Sequence, residues 1–247
     1  MCRLLLTFIC EVKIIFDFLF QSINKKYTPG LNNYRDFNYH KDGFGISLLE
    51  NNKWKNYKSE VLFLYDTNYQ KFLENIKNCQ VVIGHIRSIK DKEEISYENT
   101  HPFKFNHDNW CHNGSVYPLD REFLLKFINK KYYSNIKGTT DSEILFYIFL
   151  TLKKKYYIID AWKKLFELFN QFYSRKNIVI SGNIIFYNTK IILVSRYINN
   201  NEEPPSLYLD LKNLTISSEP INNYIILPKN TYVKIDISTK NFSVNKF

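Results

Sequence analysis

Hydrophobic and polar positions fall into three regimes along the chain. In the first, an apolar run over residues 2 to 9 predicts a buried strand, and Ile14, Ile15, Phe18 and Leu19 then recur at the spacing of one helix face. A polar, irregular stretch occupies residues 21 to 40. Beyond it, GISLLE (45 to 50) and VLFLYD (61 to 66) read as strands bounded by Asn and Lys turns. Tyr69, Phe72, Leu73 and Ile76 predict a helix over 67 to 78, and QVVIGHIRS (80 to 88) is a short apolar run of the buried-strand type.

The middle regime turns polar until WCHNGSVY (110 to 117), a brief strand with a turn in it. Helices follow at 119 to 129, with Phe123, Leu124, Phe127 and Ile128 inward, and at 141 to 155, where Thr140 and Glu143 supply an S/T-x-x-E capping box. A third helix over 158 to 175 carries Trp162, Leu165, Phe166, Phe169 and Phe172 on one face. The last regime is all strand-like: NIVISGNIIFY, KIILVSRYI, SLYLDL, YIILP and TYVKIDI, separated by Gly, Asn and Pro turns. Strands, then helices, then strands imply an α+β layered fold rather than alternating βαβ units. With no internal repeat and no Gly/Ser linker, the expectation is a single domain over residues 1 to 247.

The apolar start could pass for a membrane anchor or a signal peptide. Glu11, Lys13 and Asp17 argue against both, because each central charge costs a spanning helix roughly 2.5 to 3.5 kcal/mol and no small-residue cleavage site follows. A hydrophobic content of 45% with 23% charged residues excludes a disordered or collagenous chain. The formal charge of +10 would suggest a nucleic-acid or anionic surface. However, 28 of the 34 basic residues are Lys, spread out with an excess of Asn, Ile, Tyr and Phe that reads as the mark of an AT-rich coding sequence. Basic runs are short, as at Lys153 to Lys155, so solvated faces are expected and neither nucleic acid nor membrane is a partner. Four cysteines without a C-x-x-C pair favour a reduced, cytoplasmic setting over a disulfide framework.

Scarcity directs attention to a few positions. Only seven Gly and six Arg occur, and all five His lie between residues 40 and 112. Gly30 and Gly182 read as turn glycines, and His85 on its apolar strand as a core histidine. His107 and His112, with Cys111 between them, fit only half of a zinc site, so neither metal nor cofactor is expected. Position 2 offers a different chemistry. If Met1 is removed, Cys2 becomes the N-terminus and holds nucleophile and base in one residue, its thiol attacking while its α-amino group takes and returns the proton.

Six motifs surround that possibility in order: MCRLL at the start, HKDGFGI at 40 to 46, VIGHIRS at 82 to 88, ENTHPF at 98 to 103, CHNGSV at 111 to 116 and TDSEILF at 140 to 146. Together they resemble the class II glutamine amidotransferases, N-terminal-nucleophile hydrolases, and the wording of HKDGFG, ENTHPF and the C-terminal ISSEPINNYIILPKNTYVKID is most similar to the small stand-alone branch without a synthase domain. The resemblance implies a four-layer αββα sandwich with Cys2 at the end of the first strand. It also implies attack of Cys2 on a glutamine side-chain amide, a γ-glutamyl thioester and released ammonia. Asn113 and Gly114 would form the oxyanion hole, Arg87 would hold the substrate carboxylate, Asp141 its ammonium, and Ser88 and His101 would line the pocket. The Arg fork suits a carboxylate better than Lys would. Glycine at 114 would let backbone approach substrate.

The small-molecule substrate is expected to be glutamine or another γ-glutamyl compound, with a separate ammonia-accepting partner possible. A γ-glutamyl peptide amidohydrolase and a non-catalytic subunit retaining the fold are the alternatives. Three departures accompany the match: SIKDKEEIS after Arg87 lacks the Gly of the closing loop in relatives, Leu6 replaces a frequent Gly, and residues 21 to 39 read as an insertion.

Overall fold

The computed structural model describes residues 2–22, 40–74, 76–89, 94–220 and 224–247; the expected insertion, the turn glycine at 30 and the centre of the glycine-free loop lie wholly or mostly outside them. Antiparallel pairing builds two sheets. The first takes β1 (Arg3–Thr7), β2 (Phe44–Glu50), β3 (Lys53–Ser59), β4 (Val81–Ile86), β9 (Tyr208–Asp210), β10 (Thr215–Ser217) and β11 (Ile225–Ile226), in the spatial order β11-β9-β10-β1-β4-β2-β3. The second takes β5 (Phe103–Phe105), β6 (Asp108–Tyr117), β7 (Val179–Tyr187), β8 (Ile191–Arg196), β12 (Thr231–Asp236) and β13 (Phe242–Lys246), in the order β13-β12-β8-β7-β6-β5.

Strand alternation assigns each sheet two buried faces. Leu4, Leu6, Val81 and Ile83 of the first sheet meet Cys111, Ile185, Ile192, Val194 and Val233 of the second, forming a core between the sheets. The intervening Leu5, Ile46, Leu48 and Val82 face outward, where α1 (Val12–Phe20) and α2 (Asn68–Leu73) cover them with Ile15, Phe18, Leu19, Tyr69 and Leu73. On the far side of the second sheet, Trp110, Ile184, Phe186 and Leu193 pack under α4 (Asp141–Lys153) and α5 (Ile158–Lys176). Phe146, Phe149, Trp162, Leu165, Phe166 and Phe169 fill that layer. The result is helices, sheet, sheet, helices, the αββα sandwich that was expected. Seating α1 requires glycine at 84, since a Cβ there would stand 2.4 Å from the Phe18 ring.

Several local expectations are corrected. VLFLYD is not a strand: Phe63–Tyr65 forms a 3₁₀ turn, and the partner of β2 is the polar β3, an edge strand whose burial alternates poorly and which hydropathy therefore hides. The 67 to 78 helix stops at Leu73 and resumes only as a 3₁₀ turn over Ile76–Asn78. The helix at 119 to 129 shortens to α3 (Arg121–Leu125), with Leu124 and Ile128 buried and Phe123 and Phe127 half-buried. No turn interrupts 110 to 117. HNG sits inside the continuous ten-residue β6, and Gly182 lies inside β7 directly opposite Gly114 rather than in a turn. At the start of α4, Thr140 Oγ1 accepts from the Glu143 N–H at 3.3 Å, as the box predicts, but the Glu143 carboxylate accepts from the N–H groups of Lys137 and Gly138, pinning the preceding loop.

Candidate active site

Two strands of the first sheet bring the first pair of groups together. β1 and β4 pair in the register Arg3↔Ile86, so the next rung sets Cys2 opposite Arg87. Alternation gives Cys2 the same face as Leu4 and Leu6, toward the second sheet. The half-buried Cys2 Sγ receives the Ser88 N–H at 3.4 Å and lies 3.8 Å from the Ser88 carbonyl oxygen. Arg87 is buried; its backbone N–H donates to Gly43 O at 2.8 Å, and both terminal guanidinium nitrogens donate to Glu94 O at 3.1 Å.

The third strand comes from the other sheet. Along β6, Cys111 faces the space between the sheets, and the two-residue period gives Asn113 the same side. Asn113 is 2% exposed, and its Nδ2 lies 3.5 Å from Ser218 Oγ. His112 and Gly114 face α4 instead. His112 Nε2 donates to Ser181 O at 2.9 Å, while Ser142 Oγ stands 2.8 Å from His112 Nδ1 and 3.1 Å from Asp141 Oδ1. Asp141, the first residue of α4, accepts the Val116 N–H on its other oxygen at 2.7 Å. Its carboxylate therefore both sits at a helix N-terminus and ties the helix to β6.

Glycine at 114 has a structural reason that sequence reasoning missed. A Cβ there would fall 1.8 Å from Ser181 O and 2.5 Å from His112 Nε2. The cross-strand neighbour and the buried imidazole already exclude a side chain, whatever the backbone faces.

These elements enclose a cleft of about 350 Å³ lined by Cys2, Arg87, Ser88, His101, Gly114 and Asp141, six of the seven residues nominated from sequence. Asn113 is the exception: it is not among the residues lining the cleft, since strand alternation turns it from His112 and Gly114 into the space between the sheets, the side that Cys2 also faces. His101 presents an unusual group. It is 4% exposed, its ring stacks on His85 with centroids 4.0 Å apart and packs edge-on against Phe103, and neither ring nitrogen has a hydrogen-bond partner among the described residues. Burial holds the His101 pKa well below the usual imidazole value and brings that of His85 down to about 3, so both rings are neutral. His85 is indeed buried in its strand, with Nε2 donating to His112 O at 3.2 Å.

The half zinc site does not assemble. His107 is exposed beside the β5–β6 turn, Cys111 faces the inter-sheet core with its thiol pushed up to about 12 by burial, and His112 faces α4. Among the described residues no group of three or more His, Cys, Asp or Glu is placed to hold a metal, and no helix is long and apolar enough to cross a membrane.

Two further parts of the site escaped the sequence. Ser218 and Glu219 clamp the start of β1: Ser218 exchanges hydrogen bonds with the Leu4 backbone, accepting its N–H on Oγ and donating its own N–H to Leu4 O, both at 2.9 Å. Glu219 accepts Arg3 Nε at 2.8 Å, and Arg3 Nη1 donates to Cys2 O. The only signal for this clamp was ISSEP, part of the C-terminal resemblance. The far wall of the cleft, from Asn200 to Pro205, had no signal beyond its paired prolines.

The family model for class-II glutamine amidotransferases matches residues 1–197. No curated protein matches the sequence. Among solved structures, the chain is similar to a glutamine aminotransferase class-II domain protein from Silicibacter pomeroyi (18% identity, 83% of this chain and 91% of that one, TM-score 0.65). It is also similar to glutamine phosphoribosylpyrophosphate amidotransferase from Bacillus subtilis (15% identity, 100% of this chain, TM-score 0.67), of whose length it spans 49%. At these identities the structures speak for the fold, which is that of the N-terminal-nucleophile amidotransferase domains, while the family match covers most of the sequence. The chain belongs to the class-II glutamine amidotransferases.

Proposed function

We propose that the protein hydrolyses a γ-glutamyl amide through a thioester on Cys2, releasing ammonia from glutamine. The observation that carries this reading is the convergence, in one cleft, of a thiol just ahead of β1, a guanidinium beyond the end of β4 and a carboxylate from the first turn of α4. A free amino acid presents one carboxylate and one ammonium, and Arg87 and Asp141 supply one charge for each. With Met1 removed, the Cys2 α-amino group takes the thiol proton as Sγ attacks the amide carbon, then returns it to the departing ammonia; water next hydrolyses the thioester. Backbone N–H of Gly114 and the Asn113 amide nitrogen would stabilise the oxyanion. Asn113 must then turn from its long contact with Ser218, a weak bond that costs little to exchange. Neutral His101, with unused ring nitrogens, can orient substrate but is held in a state unsuited to carrying charge.

Intact-mass analysis together with an ammonia-release assay on glutamine tests the reading. The native protein should lack Met1, and Cys2→Ala should reduce release to background at unchanged thermal melting. Retention of Met1 removes the α-amino base and defeats the mechanism; undiminished release by Cys2→Ala defeats the nucleophile.

The size of the cleft favours a second substrate reading. A volume of about 350 Å³ falls in the range of roughly 300 to 1,000 Å³ that encloses drug-sized ligands, and the lining runs past Gly114 to the Asn200–Pro205 wall. A γ-glutamyl peptide would use the same two clamps and place its leaving amine along that wall. Comparing kcat/KM for glutamine with that for γ-glutamyl dipeptides decides between them.

A further inference from the structure

The part of the cleft beyond Gly114 is not needed to release ammonia, yet its wall is held rigidly. Residues 200 to 205 form no helix or strand, and their carbonyls are tied down from behind. Arg196, 5% exposed at the end of β8, donates Nε to Pro205 O at 3.1 Å, and Nη2 to Pro204 O at 3.2 Å and Glu203 Oε2 at 3.1 Å. Asn183 Nδ2 also donates to Pro205 O, at 2.9 Å, and Lys229 Nζ donates to Asn200 O at 2.9 Å and Glu202 O at 2.5 Å. Both cations lie behind the wall; neither Arg196 nor Lys229 lines the cleft.

Two observations say what this end of the cleft is suited to hold. Ser115 and Ser181, direct cross-strand partners in β6 and β7, both line it. Alternation gives Ser181 the same face of β7 as Asn183, the face that meets Pro205 and Ser206. Ser181 is 8% exposed, and its Oγ has no hydrogen-bond partner among the described residues. A buried unpaired hydroxyl is costly, and a ligand group that hydrogen-bonds to it removes the cost. The second observation is charge. Among the described residues, the ionised side chains lining the cleft are Arg87 and Asp141, engaged by the amino-acid clamps, and Glu202 and Glu203 on the wall. No ion pair joins Glu202 among the described residues. A chain of net charge +10 therefore lines the far end of its cleft with carboxylates alone.

We propose that Ser181, Glu202 and the wall they flank form a leaving-group subsite that takes an amine carrying a second, positively charged group. The proposal rests on the γ-glutamyl amide reading above and narrows its substrate class. Cys2 Sγ bonds to the γ-carbonyl carbon, the C–N bond breaks, and the α-amino group returns the thiol proton to the leaving nitrogen. The amine departs, and water then yields glutamate and restores the thiol. Before departure the ammonium of the amine's tail donates to Ser181 Oγ and faces Glu202, which supplies the opposite charge. An amino-acid leaving group would bring its own carboxylate against the same two glutamates, so a γ-glutamyl dipeptide is the poorer substrate.

Hydrolysis of glutamine and of the γ-glutamyl amides of ethylenediamine, propylamine and β-alanine by the full chain tests this. The three amines are of similar size and leave cationic, neutral and anionic tails at neutral pH. Their kcat/KM should fall in that order, by roughly threefold to tenfold from the ethylenediamine to the propylamine amide, and high salt should narrow the gap. Glu202→Gln should bring the ratio of those two amides toward one, and a ratio it leaves unchanged overturns the role of Glu202. Equal kcat/KM for them in the wild type, or a preference for the β-alanine amide, overturns the charge selection whether or not the variant folds. Hydrolysis of glutamine alone overturns the subsite while the Cys2 mechanism stands. If none of the four is hydrolysed, the mechanism fails and the subsite with it.

Discussion

At the scale of single residues, Arg87 illustrates how a chain rich in Lys marks the places where a point charge is insufficient. Its fork is used within the protein, on Glu94 O, and it faces the cleft beside Cys2. Arg87→Lys keeps the charge and loses the planar pair of donors, so KM for the γ-glutamyl substrate should rise roughly tenfold or more with a smaller change in kcat. Steady-state kinetics on the wild type and Arg87→Lys check this, and an unchanged KM would remove Arg87 as the carboxylate clamp. The role of a residue type was legible here because a bidentate donor has few substitutes. The position of Asn113 was not: neighbours in a strand face opposite ways, and only the pairing of β6 shows that Asn113 points between the sheets while Gly114 points to α4.

Among elements, the β6–β7 pair carries the tightest steric constraint. Gly114 and Gly182 are direct cross-strand partners, yet a Cβ on Gly114 would meet Ser181 O at 1.8 Å whereas one on Gly182 meets only the Ile184 side chain, at 3.1 Å. A carbonyl in a ladder cannot retreat without breaking the ladder, but a side-chain methyl can rotate away. Gly114→Ala should therefore lower the melting temperature by at least about 5 °C, and Gly182→Ala by much less. Equal melting of the two variants by calorimetry would show that the ladder yields. From sequence Gly182 looked like a turn residue and Gly114 like a point of backbone approach to substrate, because the cross-strand neighbour that excludes a side chain at 114 comes from some 70 residues away.

For the whole molecule, the stacked His85 and His101 tie stability to pH. Unfolded histidine titrates near 6.5, whereas His85 in the fold does so at about 3 and His101 well below its usual value. Between these limits the unfolded chain binds protons that the folded one refuses. Their contribution to stability is complete above pH 6.5 and is lost as pH falls toward 3. At pH 5 keeping His85 neutral costs about 2 kcal/mol and His101 acts in the same direction, so the melting temperature should fall by several degrees from its value at pH 7.5. Melting curves at the two pH values, on wild type and His85→Gln, measure the effect; an identical pH drop in the variant would clear His85 of it.

Taken alone, the sequence determined the layers and named the candidate residues. Amphipathic patterning depends on which face of an element meets water, and α5 follows it, whereas β1 and β4 were legible as continuous apolar runs because both of their faces are buried. The ordered motifs likewise determined the family. Tertiary structure alone decided what lies opposite what. Pairing register is a relation between distant segments, so the setting of Cys2 against Arg87, the clamp of Ser218 and Glu219 on the first strand, and the collision that demands Gly114 became visible only once both sheets were closed.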